Sequence, residues 1–422
     1  MASVIGFLLR NYKVFNPPST PKSGEPLRFG ILGAANIAPM ALIIPAISHP
    51  EVIVAAVAAR DPKKAEAFAK KHKIPIVHKT YDDLIADPSL DCIYNPLPNG
   101  LHYEWTIKCL KAGKHVLLEK PSVSNATEAR HLFRHATLNK PDSPVLLEAF
   151  HYRFHPAWQH FITLFDSADV EHVEVVNSLP AGVFSGDDIR FNYSLSGGTL
   201  MDFGAYAVST TRNVFGTEPI SVTSASYRPM PDGFDKQVDE AVYAAYEFPN
   251  GATAKISADL RARGGYWFPA LTKNWPRLKD VVMKLRLRLK SEQEAWGGDG
   301  VKTVRREIVF YNYLGPYLWH RIDVISAVEY QRNGKIVEKE EKTEHIKTYK
   351  PKSEIEDYVG EDWWTTYRYQ LEVFVDRVKK RKGSGIWVDG EESIRQMEAI
   401  DSTYKKLGLP LRPTSRSLET AA

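Results

Sequence analysis

The sequence predicts an α/β protein, with a doubly wound parallel sheet up to Ala149 and antiparallel strands after it. Three observations carry this. Short β-type apolar runs alternate with helical stretches from Leu27 to Glu148, and such alternation closes as a parallel sheet covered by helices. The stretch Gly33-Ala34-Ala35-Asn36-Ile37-Ala38 directly follows the first apolar run and reads as the turn of a dinucleotide-binding βα unit. Beyond His151 the period switches to two: Val238 to Phe248 and Ala252 to Asp259 flank the turn Pro249-Asn250-Gly251 and read as a hairpin.

The elements follow in order. Leu27 to Leu32 and Val52 to Ala58 are strands, joined by a helix from about Ile37 to Ser48 with Pro39 and Pro45 near its ends. Asp61-Pro62 is an acidic cap with proline in the first turn, opening a helix to about His72. Strands are expected at Ile76-Val77, Cys92 to Tyr94, His115 to Leu118 and Val145 to Glu148, with helices at Tyr81 to Ala86, Leu101 to Ala112 and Ala126 to Leu138. Asn125 and Glu128 form a capping pair for the last of these. Lys284 to Lys290 alternates leucine with basic residues, a strand whose charged side reads as a solvated outer face in preference to an anion or membrane surface.

Composition sets the boundaries. The 422 residues, 43% of them hydrophobic, suffice for two or three domains with a large core. A net charge of +4, from 55 basic and 51 acidic residues, gives no reason to expect a nucleic-acid partner. The two cysteines, Cys92 and Cys109, make neither a disulfide framework nor a CxxC site, which suits a reducing, cytoplasmic setting. The N-terminal apolar run is too short for a signal core, and no run approaches the ~20 residues that span a bilayer. The domains expected are an N-terminal arm at 1–26, a dinucleotide-binding domain at 27–149, a second domain at 150–413 with an insertion at about 264–360, and a disordered tail at 414–422. The arm is expected to dock on the body or on a neighbouring subunit.

A G-x-G-x-x-G fingerprint uses its glycines for a tight turn, close pyrophosphate approach and helix packing. Here Gly33 is kept, while Ala35 and Ala38 replace the others. One methyl each is a small obstruction, and the helix N-terminus still presents its free N–H groups to a phosphate. The second strand ends Ala58-Ala59-Arg60 without an acid for a ribose hydroxyl, since Asp61 serves the cap. Arg60 suits a 2′-phosphate, which favours NADP over NAD.

Three further stretches carry a family resemblance. Tyr94-Asn95-Pro96-Leu97-Pro98-Asn99-Gly100-Leu101-His102, Ala112-Gly113-Lys114-His115-Val116-Leu117-Leu118-Glu119-Lys120-Pro121 and Gly197-Gly198-Thr199-Leu200-Met201-Asp202-Phe203-Gly204-Ala205-Tyr206 resemble the glucose-fructose oxidoreductase / inositol dehydrogenase / rhizopine-catabolism (Gfo/Idh/MocA) family. Within it, Ala58 to Asp61 and the Asp202/Tyr206 pair resemble the branch of dimeric dihydrodiol dehydrogenases and NADP-dependent D-xylose 1-dehydrogenases. The resemblance covers about residues 27 to 263, and Tyr367 to Pro413 is similar to the family's closing helices. It implies a Rossmann domain followed by an α/β domain with an open, mostly antiparallel sheet whose outer face forms a homodimer. It also implies a sugar or cyclic alcohol as substrate, and places Lys120 at the nicotinamide with Asp202 and Tyr206 as the paired substrate and acid/base positions. Many members carry histidine where this chain has Tyr206. Gly33, Ala35, Asn36, Ile37, Arg60, Leu97, Pro98, Asn99, His102, Glu119 and Lys120 are the cofactor-binding positions expected.

The chemistry of these residues agrees. Removing a hydride from an alcohol carbon requires a base for the hydroxyl proton. Tyr206 is the expected base, with Lys120 nearby lowering its pKa from the usual ~10 and Asp202 orienting a substrate hydroxyl; the reserve reading makes Lys120 itself the proton carrier. Tyr152 and Arg153, at the domain junction, are expected to line the substrate pocket. His151 and His155 have a helical metal spacing without an evident third ligand, so no metal is expected. The aromatic runs Gly264 to Phe268 and Tyr311 to Tyr317 suit sugar rings but also build cores. Oxidation of a cyclic aldose at C1 to a lactone is the first reading, ahead of sugar-ketone reduction or trans-dihydrodiol oxidation. Readings from other classes are a corepressor that only binds the dinucleotide and a glycosidase that uses it transiently.

Overall fold

The computed structural model describes residues 4–262, 282–351 and 357–419. The N-terminal half is a six-stranded parallel sheet of β1 (Leu27–Leu32), β2 (Val52–Ala58), β3 (Ile76–His78), β4 (Cys92–Asn95), β5 (His115–Leu118) and β6 (Leu146–Glu148), in the order β3-β2-β1-β4-β5-β6. The order reverses between β1 and β4, and ligands bind at the carboxyl ends of strands beside such a switch point. Central strands are apolar on both faces because helices cover both: Phe29, Ile31, Leu32, Ile93, Val116 and Leu117 are wholly buried.

Local chemistry explains the flanking helices. Asp61 accepts from the Lys63 and Lys64 N–H groups and caps α3 (Pro62–His72), while Thr80 and Asp83 form a reciprocal capping box at α4 (Tyr81–Ala86). α5 spans Asn99–Lys111. Asn125 caps α6 (Ala126–Phe133), but Glu128 reaches one residue further back than a capping box requires, accepting from Ser124 N. α6 is shorter than the sequence pattern suggested, and a 3-10 turn takes over at Ala136–Asn139. The expected helix after β1 is a π-helical turn, Pro39–Ile43, followed by the short α2 (Ile44–Ile47).

The second sheet has nine strands. β7 (Val170–Pro180) pairs in parallel with β10 (Thr253–Ala262), and every other pairing is antiparallel: β8 (Ser221–Pro229) and β9 (Asp239–Glu247) extend it on one side. On the other side stand β11 (Val282–Leu289), β12 (Glu292–Trp296), β13 (Gly300–Tyr311), β14 (Arg321–Arg332) and β15 (Lys335–Ile346). The β9–β10 hairpin turns as expected, with Asn250 and Gly251 at positive φ. The insertion is therefore mostly additional sheet, and the aromatic run Gly264 to Phe268 lies outside the described residues. In β11 the leucines face inward, while Arg286 and Arg288 pair with Glu307 and Glu171 on a water-facing surface, as a solvated outer face requires.

The N-terminal arm docks on the body, one of the two expected placements, while the C-terminal segment differs from expectation. The arm contains α1 (Val4–Phe15), fixed by Arg10, whose guanidinium donates to the Tyr317 and Leu318 carbonyls and lies 3.9 Å from the Tyr349 ring centre. Of the tail expected to be disordered, residues 414–419 are held, and 420–422 lie outside the described residues: Asn125 donates to Thr414 Oγ1 and Ser415 N to Glu128 Oε1, ahead of a last turn at Arg416–Glu419. Polar partners supplied by α6 decide this, and no local sequence signal shows them.

Candidate active site

A cavity of about 460 Å³ opens between the two sheets. Its floor comes from the turn after β5. Glu119 and Lys120 follow four residues of strand, and Pro121 ends it. Tyr94 donates its hydroxyl to Glu119 Oε1 at 2.7 Å, and burial pushes that carboxyl up from its ordinary range. His102 stands between the Leu97 and Pro121 carbonyls, at 2.7 and 3.0 Å, tying the β4 turn to the Lys120 turn; burial lowers its pKa to about 4. Asn99 donates to Ser196 O at 3.1 Å, joining α5 to the second domain.

The opposite wall begins at Gly197 and Gly198. Gly198 has φ +133°, and a side chain there would run into Asp239 and Arg412, a wholly buried ion pair of 2.7 Å. A π-turn follows at Leu200–Gly204, marked by Gly204 N donating to Thr199 O at 2.8 Å, and continues into α8 (Ala205–Phe215). Asp202 and Tyr206 both enter the cavity from this element.

There Lys120 Nζ donates to Asp202 Oδ1, and Arg190 Nε donates to Asp202 Oδ2 at 2.6 Å. Arg190 also donates to Asp188 Oδ1 at 3.0 Å and covers the Phe184 ring. Burial alone would push the Asp202 carboxyl up, but the two cations overcome it and hold the group well below the usual carboxylate range.

Tyr206 overturns one expectation. Lys120 Nζ lies over its ring face, 4.5 Å from the centre, and is paired with Asp202. The hydroxyl instead meets His151 Nε2 at 2.8 Å. Burial first, then the neighbouring Tyr367, Glu119 and Asp202, push the phenol well above its ordinary value. Lys120 is thus paired with Asp202 and stands over the ring, not at the hydroxyl. Burial lowers His151 to about 3, with Lys120 acting in the same direction, so the imidazole is neutral at pH 7. Its Nδ1 has no partner among the described residues.

Two expected pocket residues lie elsewhere. Tyr152 is fully buried in an aromatic cluster, its hydroxyl 2.9 Å from Ser209 Oγ. Arg153 pairs with Glu392 on α10 (Gly390–Leu407). The 3-10 turn His151–Phe154 sends neighbouring side chains in different directions, delivering only His151 to the cavity. His155 caps α7 (Pro156–Phe161) and does not converge with it. Sequence reasoning missed Arg190, for which there is no local signal. It also missed Tyr367, from α9 (Thr366–Val378), whose ring centre lies 4.2 Å from that of His151 at a tilt of 37°; in the sequence it marks only the start of the segment resembling the family's closing helices.

The carboxyl ends of β1, β2 and β4 fit a dinucleotide. Gly33 has φ +87°, and a Cβ there would stand 3.1 Å from Leu97 Cδ2, filling the cradle between the turn and the β4 loop. Ala35 is half-buried, Asn36 is exposed and Ile37 lines the cavity with Leu97, Asn99, His102 and Glu119. Pro98 precedes Asn99 at the start of α5. Arg60 is exposed at the end of β2, while Asp61 is committed to its cap. Among the described residues no cluster of three or more His, Cys, Asp or Glu is arranged for a metal.

Comparison with known proteins agrees with this geometry. Residues 27–141 match the N-terminal domain described as an oxidoreductase family, NAD-binding Rossmann fold, and 168–279 match the GFO/IDH/MocA C-terminal domain. D-xylose 1-dehydrogenase (NADP(+)) 2 of Haloferax volcanii is 39% identical over 238 residues, 56% of this chain and 70% of that protein. Trans-1,2-dihydrobenzene-1,2-diol dehydrogenase of Xenopus laevis is 32% identical over 220 residues, 52% and 63% of the two chains. A 3-ketoreductase from Actinomadura kijaniata, solved with NADP and TDP-benzene, has the same fold, with TM-score 0.65 at 20% identity over 91% of this chain and 98% of that one. The Rossmann sheet, the Glu119-Lys120-Pro121 turn facing Asp202 and the matched domains agree: the chain belongs to the Gfo/Idh/MocA family of oxidoreductases.

Proposed function

We propose that the protein is an NADP-dependent dehydrogenase moving a hydride between the nicotinamide and a sugar or related cyclic alcohol, in a cavity where Lys120 manages the proton. The ion pair of Lys120 with Asp202 carries this reading: it places a proton-bearing nitrogen among groups suited to hydroxyls, beside the dinucleotide cradle. NADP, when bound, supplies the acceptor for a hydride from the alcohol carbon. In the reducing direction the Lys120 ammonium gives its proton to the substrate oxygen as the C=O becomes an alcohol, and solvent restores that proton; alcohol oxidation is the reverse, the hydroxyl proton returning to the lysine nitrogen after solvent has taken one from it. Asp202 aims Lys120 and accepts a substrate hydroxyl, and Arg190 keeps Asp202 ionised. This adopts the reserve reading of Lys120 over Tyr206 as base. Arg60 at the end of β2, the committed Asp61 and the printed name of the Haloferax relative support NADP and an aldose oxidised at C1, with a trans-dihydrodiol behind it.

Absorbance at 340 nm with NADP or NAD and a panel of aldoses, polyols and dihydrodiols tests the reading. NADPH formed from one class and lost in Lys120→Ala supports it. Tight NADP binding without turnover would favour a corepressor, and sugar release without net NADPH a bound-cofactor glycosidase.

The unpaired, buried Cys92 and Cys109 suit a cytoplasmic setting. No described helix is long and apolar enough to cross a membrane. The open sheet face around Tyr243, Lys255 and Ser257, with Tyr243 41% exposed, suits a homodimer; light scattering should give twice the chain mass, falling to one in Tyr243→Arg.

A further inference from the structure

The cavity has two chemically different ends. Lys120, Asp202, Arg190 and His151 make one polar and charged. A second part of the lining is apolar and comes largely from the insertion, through Leu314, Tyr317, Leu318 and Trp319 beside Asn312 and Gly315, with Ile189 from the loop before the π-turn. At the rim Ile189 is 43% and Trp319 50% exposed, a cost in water that only an apolar occupant relieves.

This wall is held from behind by polar clamps. Asn312, at φ +58°, donates from Nδ2 to the carbonyls of Gly315 and Trp319 at 2.9 and 2.7 Å. His320 accepts the Thr348 N–H at Nε2, 2.8 Å, so its Nδ1 is the donor to Pro316 O at 2.7 Å. Arg10 of α1 takes the Tyr317 and Leu318 carbonyls. Four successive carbonyls, Gly315 to Leu318, and that of Trp319 are thus bonded to the clamps while the side chains Tyr317, Leu318 and Trp319 line the cavity. A preorganised apolar wall lowers the ordering cost of binding. It lies beyond residue 279, where the match to the family's C-terminal domain ends.

We propose that this wall is an apolar subsite for an aryl-sized substituent, so that the preferred substrate is an amphipathic ring alcohol: hydroxylated ring at Lys120 and Asp202, apolar ring against Leu318 and Trp319. The hydroxylated half rests on the proposed function; the apolar half does not. The dinucleotide cradle at Gly33, Ile37 and Leu97 is built by the first domain, and this wall by the insertion.

Calorimetric titration of the NADP-saturated protein with phenyl β-D-xylopyranoside and methyl β-D-xylopyranoside tests it without requiring turnover. The phenyl glycoside should bind about tenfold more tightly or better. Trp319→Ala and Leu318→Ala should each reduce that ratio to about threefold or less, leaving methyl glycoside affinity unchanged; Trp319 is half-exposed at the rim and Leu318 half-buried, and an unchanged thermal midpoint checks that each variant is folded. Equal affinities in the wild type, or a preference that persists in both variants, overturns the subsite. If neither glycoside binds, 2-naphthol tests the subsite by itself: binding that Trp319→Ala weakens retains the subsite, and no binding overturns it. Because C1 of a glycoside carries no free hydroxyl, this titration reads binding alone, and the 340 nm assay with free sugars tests the dehydrogenase separately.

Discussion

Asp202 divides its two carboxylate oxygens between Lys120 and Arg190, and this decides the roles around it. Lys120→Ala should lower kcat by about 10²- to 10⁴-fold, the usual worth of a positioned proton carrier. Tyr206→Phe should cost about tenfold or less and keep both limbs of the pH–rate profile, because the phenol is bonded to His151 and held well above its ordinary pKa by burial; loss of the acid limb of alcohol oxidation in that variant would restore tyrosine as the base. Arg190→Ala removes one of the two cations that overcome burial at Asp202. Its carboxyl should then rise toward the ordinary range, and the acid limb of kcat/KM should move to higher pH.

Among the elements, the Gly197-Gly198 turn and its π-helical continuation govern the site. Gly198→Ala imposes positive-φ strain and a collision with the Asp239–Arg412 pair, and should destabilise the fold by about 3 kcal/mol or more. Gly182→Ala supplies the comparison: φ is +95° there and nothing stands within 4 Å of the added carbon, so strain alone remains, about 1 kcal/mol. Urea midpoints of the two variants give the difference directly. The same pair anchors the C-terminal segment, since Arg412 also donates to Gly197 O at 2.6 Å. The end of the chain thereby holds the wall that carries Asp202.

At the scale of the molecule, buried histidines set the acid stability. Burial lowers His102 and His320 to about 4, His151 to about 3, His49 to about 2 and His155 well below its ordinary value. The unfolded chain takes up these protons near pH 6.5 and the folded chain only much lower, so stability falls as pH drops from 6.5 toward 4. Burial also raises Glu148 to about 7 and Asp401 to about 6, which acts in the opposite sense between about 4 and 7. The histidines outnumber these two acids. Thermal midpoints at pH 7 and pH 4.5 should therefore show the folded state weaker in acid, and Glu148→Gln should steepen that loss.

The sequence by itself determined the parallel sheet, the caps at Asp61 and Asn125, the β9–β10 hairpin, and Lys120 at the end of β5. Each depends on residues within a few positions of one another, where periodicity, capping and turn chemistry act. Only the tertiary structure decided that Arg190, His151 and Tyr367 meet Lys120, that Tyr152 and Arg153 turn away, and that the insertion forms a wall of the cavity. These arise where segments far apart in the chain close on one another, and burial and charge, rather than local pattern, then set what each side chain can do.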